Sequence, residues 1–321
     1  MKKLISLMLV MAFVLSVSVC ALAGSKGKIV VGTKDYTEQW IDGWLVKLLL
    51  EDRGYDVKLR LNLPSPTLRA GMKAGDIDMC VEYDGTAYTV FLDRLYKGEY
   101  VVPWYAFPYA CKALDLPNGF TWIVEKGIYE NNTWAVCVSN EFSKKHNIYT
   151  VSDMAKYISE HNGKVKFAMG GEFYERPDAL PGLEKLYNFK MDEKYIKQMT
   201  IGLTMGEIVK GNAEIGMIYG TDPHAKAMGL TILKDDKNFW PPYNLFPVVR
   251  TETLKKYPEL KGILLELLSA FPQPKMLGGA KPYPSARAMA MEMNYKVDLG
   301  KPKMSPKDVA REFLVKHGLI K

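Results

Sequence analysis

Residues 235–250, "DDKNFWPPYNLFPVVR", form a stretch rich in prolines and rings that decides how the rest of the chain is assembled. Pro241, Pro242 and Pro247 each fix φ and remove a backbone donor, which predicts a stiff, extended connection rather than a helix. The stretch carries four aromatic side chains, namely Phe239, Trp240, Tyr243 and Phe246. The simplest interpretation is a rigid loop that buries its rings and leaves the charges of "DDK" in solvent. Its last residues, "LFPVVR", predict a strand.

Upstream, the sequence alternates strands and helices. "KIVVG" (28–32) predicts a strand, and apolar residues at helical spacing predict a helix over 37–53 that Gly54 ends. "YDVKLRL", "PTLRAGMKAG" and "DIDMCVEY" then predict strand, helix and strand. This βαβαβ order predicts a parallel sheet with helices on its faces.

The alternation restarts at "TWAVCV" (133–138) and continues to the strand "IGMIYG", with a helix over "VSDMAKYISEHN" that Ser152 caps and another through "PDALPGLEKLYNF". After the proline-rich stretch, helices over "TETLKKYPELKGILLELLSAF" and "SPKDVAREFLVKHGL" complete the first unit. We therefore expect an α/β protein of two lobes. The predicted organisation is 1–23 as signal peptide, 24–131 and 241–321 as lobe 1, and 132–240 as lobe 2.

The N-terminus predicts export. Lys2 and Lys3 precede an apolar run over 4–19, and Ala-Leu-Ala follows at 21–23. This order is typical of a secretory signal peptide cleaved near Ala23, and it predicts a periplasmic mature protein. Cys20 raises the alternative of a lipoprotein anchor, but Val19 before it fits such a signal poorly.

Charge and cysteine content narrow the function class. Cleavage near Ala23 removes two lysines and no acid, so the formal net charge falls from +7 to +5. Lysines and acids are interspersed without a basic run, which argues against nucleic-acid binding. The mature cysteines are Cys80, Cys111 and Cys137. One disulfide is possible among them, and the sequence does not choose the pair.

No stretch carries a catalytic or metal-binding motif. His146, His161, His224 and His317 are scattered, without H-E-x-x-H or Cys/His spacing, and Walker, G-x-S-x-G and G-x-G-x-x-G motifs are absent from the sequence. We therefore expect a protein that is not an enzyme and that uses no cofactor or metal. Since many active sites have no linear signature, a secreted two-lobed enzyme acting on a small zwitterion remains the alternative from another class.

Aromatic and polar residues occur where the predicted strands end or where the chain crosses between lobes. The aromatic ones are Tyr83, Trp134, Tyr219 and Tyr243, and the polar ones are Lys34, Thr86 and Arg176. Ligands of open α/β sheets bind at the carboxyl ends of strands, and in two-lobed proteins they bind between the lobes. The positions therefore predict one cleft.

Several segments resemble the substrate-binding proteins of osmoprotectant ABC importers, which bind glycine betaine, carnitine or choline. The resemblance rests on "IVVGTKDYTEQ", "LRAGMKAGDIDMCVEYDGTA", "ERPDALPGLEKLYNF", "LKDDKNFWPPYNLFPVVR" and "SPKDVAREFL", and it extends over nearly the whole mature chain. It implies a two-lobed periplasmic-binding-protein fold of type II, with two hinge crossings and a ligand cleft between the lobes. It also implies membrane permease subunits and a cytoplasmic ATPase as partners. We expect the protein to be a monomer.

The same resemblance implies the site. Tyr83, Trp134, Tyr219 and Tyr243 correspond to an aromatic box around a trimethylammonium group, with Trp134 where relatives typically have tyrosine. The Asn132 carbonyl is a possible further contact. Ring faces suit this ligand because it has no N–H to donate and binds by cation–π attraction.

Lys34, Thr86 and Arg176 match the positions that hold a ligand carboxylate in betaine-binding members. If all three line the cleft, a free cation would meet uncompensated positive charge, so we expect glycine betaine, with choline or carnitine as alternatives. Asp84 stands where relatives more commonly have threonine. Its carboxylate could place an anion beside the box and so allow the site to bind choline. The segment 271–289 is long and rich in proline and glycine, and its simplest interpretation is a surface loop rather than a lid or a transporter contact.

Overall fold

The computed structural model describes residues 25–92, 106–273 and 283–321, with the side chains of 283 and 284 left aside. The predicted signal peptide and Cys20 lie outside the described residues, as does the middle of the segment 271–289. Within the described residues, every helix is too short or too polar to cross a bilayer.

The described strands and helices follow the alternation expected from the sequence. The strands are β1 (Lys28–Gly32), β2 (Asp56–Arg60), β3 (Met79–Tyr83), β4 (Phe120–Trp122), β5 (Trp134–Ser139), β6 (Phe167–Met169), β7 (Ile196–Gln198), β8 (Ile215–Tyr219), β9 (Leu230–Ile232) and β10 (Leu245–Arg250). The helices are α1 (Thr37–Asp52), α2 (Ser65–Ala74), α3 (Phe107–Asp115), α4 (Asn140–His146), α5 (Val151–Glu160), α6 (Gly171–Glu175), α7 (Leu180–Tyr187), α8 (Ile201–Val209), α9 (His224–Ala227), α10 (Thr251–Lys256), α11 (Leu260–Ser269), α12 (Tyr283–Asp298) and α13 (Pro306–Lys316). Short helical turns at Asp84–Thr86 and Ala87–Phe91 follow β3 directly.

Two five-stranded sheets organise the chain, one in each lobe. The first has the order β2-β1-β3-β10-β4 and the second the order β7-β6-β8-β5-β9. The chain leaves the first sheet after Trp122, enters the second at Trp134, leaves it after Ile232 and returns at Leu245. The predicted lobe boundaries at 131/132 and 240/241 fall within these two connections.

The parallel sheet expected from the first βαβαβ order is confirmed for β1, β2 and β3, but each sheet also contains an antiparallel strand. β1 pairs in parallel with β2 and β3, whereas β10 is antiparallel to both β3 and β4. The second sheet repeats this arrangement, since β5 is antiparallel to β8 and β9. In each sheet the antiparallel strand is the one that follows a crossing between the lobes, and strand alternation alone does not give the direction of such a strand.

Three helix predictions require correction. The single helix expected over 251–271 is broken into α10 and α11, because Pro258 has no N–H and forces Tyr257 out of the helical region, to φ −132 and ψ 73. The N-cap of α5 is Thr150 rather than Ser152, since the Thr150 hydroxyl accepts from the Asp153 N–H in a capping box. The helix expected through "PDALPGLEKLYNF" begins only at Leu180, and the separate short α6 precedes it.

C-terminal helices cover the first sheet. α11, α12 and α13 pack against α1, so the chain after β10 returns to the first lobe as expected. The later part of the segment 271–289 lies in α12 and not in a surface loop. Cys80, Cys111 and Cys137 are buried free thiols, so no disulfide joins them.

Candidate functional site

A cavity of about 300 Å³ opens between the two sheets. It receives side chains from strand ends and from both crossings, because the carboxyl ends of the parallel strands point toward it. All seven residues expected in the box and the clamp line it, together with Asn132: Lys34, Tyr83, Thr86, Trp134, Arg176, Tyr219 and Tyr243. Which of them touch a ligand stays a prediction.

The rings come from the two sheets as two pairs. Tyr83 ends β3 opposite Leu245 of β10, two residues after Tyr243. Trp134 and Tyr219 face each other across the antiparallel β5 and β8, and their ring centroids are 5.1 Å apart at 28°. Each lobe therefore contributes two of these four rings.

Tyr36 is a further ring in the cavity wall that the sequence analysis did not select. Its ring centroid lies 4.8 Å from that of Tyr219. The available signal was its place two residues after Lys34, in the same loop beyond β1.

Hydroxyl groups fix the two tyrosines of the first lobe. The Tyr83 hydroxyl donates to Glu38 Oε1 at 2.6 Å, and the Tyr243 hydroxyl donates to Asp178 Oδ2 at 2.5 Å. Burial, and then the charge of Glu38, raise the pKa of Tyr83 well above its ordinary value, so the phenol stays neutral. The hydroxyls serve as anchors, which leaves ring surface for the cavity.

Asp235 and Asp236 hold the start of the proline-rich stretch in place. Asp235 accepts from the Trp240 N–H at 3.0 Å and from the Tyr187 hydroxyl at 2.5 Å. Asp236 accepts from both the N–H and the hydroxyl of Ser152. The interpretation of "DDK" as solvated charge is therefore wrong for Asp235, which is half-buried, whereas Asp236 and Lys237 are exposed as expected. Both aspartates nevertheless anchor the return crossing to the second lobe.

Arg176 is surrounded by acceptors. Its Nε and one terminal nitrogen donate to the two oxygens of Asp178 at 2.8 and 2.6 Å, and the other terminal nitrogen donates to Glu172 at 2.8 Å. It also reaches Thr86 Oγ1 at 3.3 Å. Burial opposes the charge on Arg176, but Asp178 outweighs it and raises the pKa of Arg176. The same pair lowers the pKa of Asp178 in spite of burial.

Lys34 is paired as well. Its Nζ lies 2.6 Å from Glu82 Oε1, with both side chains buried, and 5.1 Å from the centre of the Tyr83 ring. Buried charges need such partners, because desolvation of an unpaired ion costs several kcal/mol. The premise that a free cation would meet uncompensated positive charge is therefore wrong, since Glu82, Asp178 and Glu172 neutralise the two basic residues.

Asp84 does not line the cavity. Its Oδ1 accepts from the N–H groups of Gly85 and Asn244, both at 2.8 Å, and its Oδ2 accepts from Asn244 Nδ2 at 3.3 Å. Burial raises the pKa of Asp84 to about 8. The hypothesis of an anion beside the box is not supported, because Asp84 ties the end of β3 to the segment before β10.

Hydrogen bonds join the lobes across the cavity. Ser65 donates its N–H and its hydroxyl to Glu172, at 2.7 and 3.0 Å. The Thr89 hydroxyl contacts Asp178 Oδ2 at 3.1 Å, and the Thr221 hydroxyl donates to Glu38 Oε2 at 2.6 Å. The two lobes are thus in contact around the site.

A second cavity of about 290 Å³ adjoins the first. Tyr36, Tyr219 and Asn132 line both cavities. The remaining wall is more acidic, and it contains Trp40, Glu38, Asp222, Asn294, Asp298 and Lys303. Burial raises the pKa of Asp298 above its ordinary value.

The two-lobed arrangement and its interlobe cavity agree with a family comparison. The sequence profile of OpuAC, described as the substrate binding domain of an ABC-type glycine betaine transport system, matches residues 27–316. The chain belongs to the OpuAC family. Its fold is the two-lobed, type II periplasmic-binding-protein fold that the sequence predicts.

Individual relatives of this OpuAC-family chain are transport proteins. The glycine-betaine-binding protein of Pseudomonas aeruginosa is 30% identical over 90% of this chain and 88% of its own length. The ergothioneine transport permease/ergothioneine binding protein EgtU of Helicobacter pylori is 31% identical over 91% of this chain, which spans 48% of that longer protein. A crystal structure titled as a glycine betaine/carnitine/choline ABC transporter superposes with a TM-score of 0.63 at 27% identity, covering 91% of this chain and all of that chain.

The OpuAC family fixes the general role. This chain is a substrate-binding protein of an importer of the glycine betaine, carnitine and choline type, a class that acts outside the cytoplasm with permease partners. The relatives are substrate-binding proteins rather than enzymes, which supports a role without catalysis.

Proposed function

We propose that this chain captures a quaternary ammonium compound, glycine betaine before choline or carnitine, and delivers it to its permease by closing the two lobes. The observation that carries the proposal is the joint lining of one cavity by Tyr83, Trp134, Tyr219 and Tyr243. The first and last belong to one lobe and the middle two to the other, so a ligand among them would contact both lobes and favour their closure.

The aromatic lining suits a trimethylammonium group. Such a group offers no N–H, and it is attracted to ring faces by about 0.5–2 kcal/mol per ring. Four rings together with burial of the methyl groups supply enough free energy for binding in the micromolar range, which needs about 8 kcal/mol.

Donors remain for a ligand carboxylate even though the basic residues are paired. The Lys34 ammonium has three N–H groups and gives one to Glu82, and the Thr86 hydroxyl accepts from Arg176 and keeps its own proton to donate. Four of the five N–H groups of Arg176 are engaged. These donors favour a zwitterion through hydrogen bonds, whereas the neutralised charge leaves choline as a true competitor.

The second cavity favours one further candidate, ergothioneine, which the Helicobacter pylori relative binds according to its name. Ergothioneine is a betaine that carries a flat ring with N–H groups. The wall beyond Tyr36 and Tyr219 offers an aromatic face in Trp40 and acceptors in Asp222 and Asp298. A larger betaine could therefore extend from the first cavity toward the second.

The proposal includes the surroundings of the protein. The N-terminal residues 1–23 direct export to the periplasm and are removed near Ala23, the mature chain acts as a monomer, and a cytoplasmic ATPase drives the permease. In the competing hypothesis, a secreted enzyme acts on the same small zwitterion.

Calorimetric titration of the purified mature protein with glycine betaine, choline, carnitine and ergothioneine in parallel tests the proposal. We expect micromolar or tighter binding of glycine betaine and weaker binding of choline. Binding of none of the four would refute the function, and a preference for ergothioneine would select the second candidate. Proton NMR of the incubated mixture distinguishes the enzyme hypothesis, because capture returns the ligand unchanged.

A further inference from the structure

Glu38 is a buried carboxylate that sits behind the aromatic lining. It belongs to the first turn of α1, where the helix dipole favours a negative charge, and it is 4% exposed. It was not selected by the sequence analysis, and it does not line the first cavity.

Donors from the whole cleft converge on this carboxylate. Oε1 accepts from the Tyr83 hydroxyl at 2.6 Å and from Asn132 Nδ2 at 2.7 Å. Oε2 accepts from the Thr221 hydroxyl at 2.6 Å and from Asn294 Nδ2 at 3.3 Å. The donors belong to a strand end of the first sheet, the first crossing, the second lobe and α12. Four donors on two oxygens suit an ionised carboxylate, which only accepts hydrogen bonds.

The charge of Glu38 is not compensated in the way that the other acids of the site are. Glu82 is paired with Lys34, and Asp178 and Glu172 are paired with Arg176. All four donors to Glu38 are uncharged side chains. Within residues 25–92, 106–273 and 283–321, no salt bridge reaches Glu38.

Two neighbouring acids are placed differently. Burial, and then the charge of Glu38, raise the pKa values of Asp42 and Glu130 well above their ordinary range. Asp42 Oδ2 and Glu130 Oε1 have no hydrogen-bond partner among the described residues, whereas the Glu130 side chain also forms a hydrogen bond with Glu38, which raises the pKa of Glu130 further. Arg287 lies on the side of Glu130, where it donates to the backbone carbonyls of Glu130 and Asn131, and its charge partly offsets the rise in the pKa of Glu130.

We propose that Glu38 is a positioning and specificity-determining residue, whose uncompensated negative charge behind Tyr83 makes the box select a cationic group over a neutral group of the same shape. It acts through Tyr83, whose hydroxyl it orients and whose ring it makes more electron-rich. Because low-dielectric surroundings strengthen Coulomb attraction, a cation on the other side of that ring gains from the charge without touching it. The inference rests on the proposed function.

The test compares ligands that differ only in charge. Glycine betaine and 3,3-dimethylbutanoate share one shape, with nitrogen replaced by carbon, and choline and 3,3-dimethylbutan-1-ol form a second pair. Their dissociation constants are measured for the wild-type protein, Glu38→Gln, Glu38→Asp and Tyr83→Phe. Asp42→Asn is the matched control, because it changes another buried acid, one turn further along α1, whose pKa burial raises well above its ordinary value.

We expect the wild-type protein to favour each cationic ligand over its carbon analogue by about 100-fold, and Glu38→Gln to reduce that ratio by about tenfold or more. Glu38→Asp should restore most of the ratio, and Asp42→Asn should leave it within about twofold to threefold. Tyr83→Phe removes the hydroxyl through which Glu38 acts, so it should lower the ratio in the same direction as Glu38→Gln does. Equal weakening of both ligands in Glu38→Gln would reveal a merely structural role and overturn the proposal.

The wild-type ratio keeps the proposal testable if Glu38→Gln does not fold. A wild-type protein that binds betaine and its carbon analogue equally well would overturn the inference without any variant. Failure to bind any quaternary ammonium compound would instead overturn the proposed function, and the inference with it.

Discussion

The guanidinium of Arg176 lies 4.9 Å from the centre of the Trp134 ring. One residue of the expected clamp thus contacts one residue of the expected box, and a second contact links Arg176 to Thr86 of the opposite lobe. The two halves of the site are therefore not independent. Substitution of Trp134 therefore removes a contact of the Arg176 guanidinium, and substitution of Arg176 removes a contact of the Trp134 ring.

Loss of a ring from the second lobe should weaken binding strongly. Trp134→Ala and Tyr219→Ala each remove a cation–π face and the stacking partner of the other ring, so we expect at least a tenfold rise in the dissociation constant for glycine betaine. Titration calorimetry measures this change. Tyr149→Ala, which removes a half-exposed ring of the same lobe, should bind as the wild-type protein does. Unchanged affinity in Trp134→Ala would contradict the box.

Arg176→Lys should separate betaine from choline. Lysine keeps a charge beside Asp178 but cannot reproduce the planar set of donors, so we expect betaine to weaken by about tenfold and choline by less than about threefold. The dissociation constants of both ligands are compared with those of Arg250→Lys, a surface change at the pair with Glu252. Equal losses for the two ligands would refute the carboxylate clamp.

Ser65→Ala should shorten the lifetime of the closed state. The Ser65 hydroxyl donates across the cleft to Glu172, and loss of one hydrogen bond to a charged group costs about 1.5–3 kcal/mol. We expect ligand dissociation to accelerate by about tenfold or more in stopped-flow fluorescence. Ser159→Ala, which removes only a bond to the helix carbonyl of Ala155, supplies the control. Slower association with unchanged dissociation would argue against a contact that holds the lobes together.

Asp84 should make stability fall as the pH rises. Its pKa is about 8 in the folded protein against an ordinary value of 3.8, so the folded state binds the proton more tightly than the unfolded state does. The stabilisation from this group is complete below about pH 4 and is lost as the pH rises toward 8, at up to about 1.4 kcal/mol per pH unit. Urea unfolding at pH 5, 6, 7 and 8 should show a flatter profile for Asp84→Asn. Parallel profiles would contradict the raised pKa.

The three mature cysteines should be unreactive until the protein unfolds. Burial raises the pKa of Cys80, Cys111 and Cys137, which disfavours the thiolate. Ellman's reagent should label them slowly in the native mature protein and all three in denaturant, without prior reduction. Labelling of a single thiol in denaturant would indicate a disulfide between the other two.

Local pattern predicted most strands, the order of the first elements and the seven residues of the box and the clamp that line the cavity. These predictions were confirmed because aromatic or polar residues that follow an apolar run mark strand ends and crossings in the sequence. The direction of β10 and the break before α11 depend on topology and on a single proline. Thr150 and not Ser152 caps α5, because the Ser152 hydroxyl donates to Asp236, which is distant in the sequence.

Pairing of charges could not be read from the sequence. Lys34 and Glu82 are separated by 48 positions, and only the parallel pairing of β1 with β3 brings their strands together. Glu38 presents the same difficulty on a larger scale, because its donors span positions 83 to 294. The sequence identified the groups that line the cavity but not the acids behind them, which set its electrostatics.

The division of the rings between the two sheets determines how such a site releases its ligand. Tyr83 ends β3 of the first sheet and Tyr243 precedes β10 of the same sheet, with its hydroxyl bonded to Asp178 of the second lobe, whereas Trp134 and Tyr219 belong to the second sheet. Neither pair encloses a ligand alone. A displacement of a few ångströms between the lobes would therefore leave a ligand in contact with only one pair of rings, and the binding would weaken. Under the proposed function, release then requires a movement of one lobe relative to the other and no chemical step at the site.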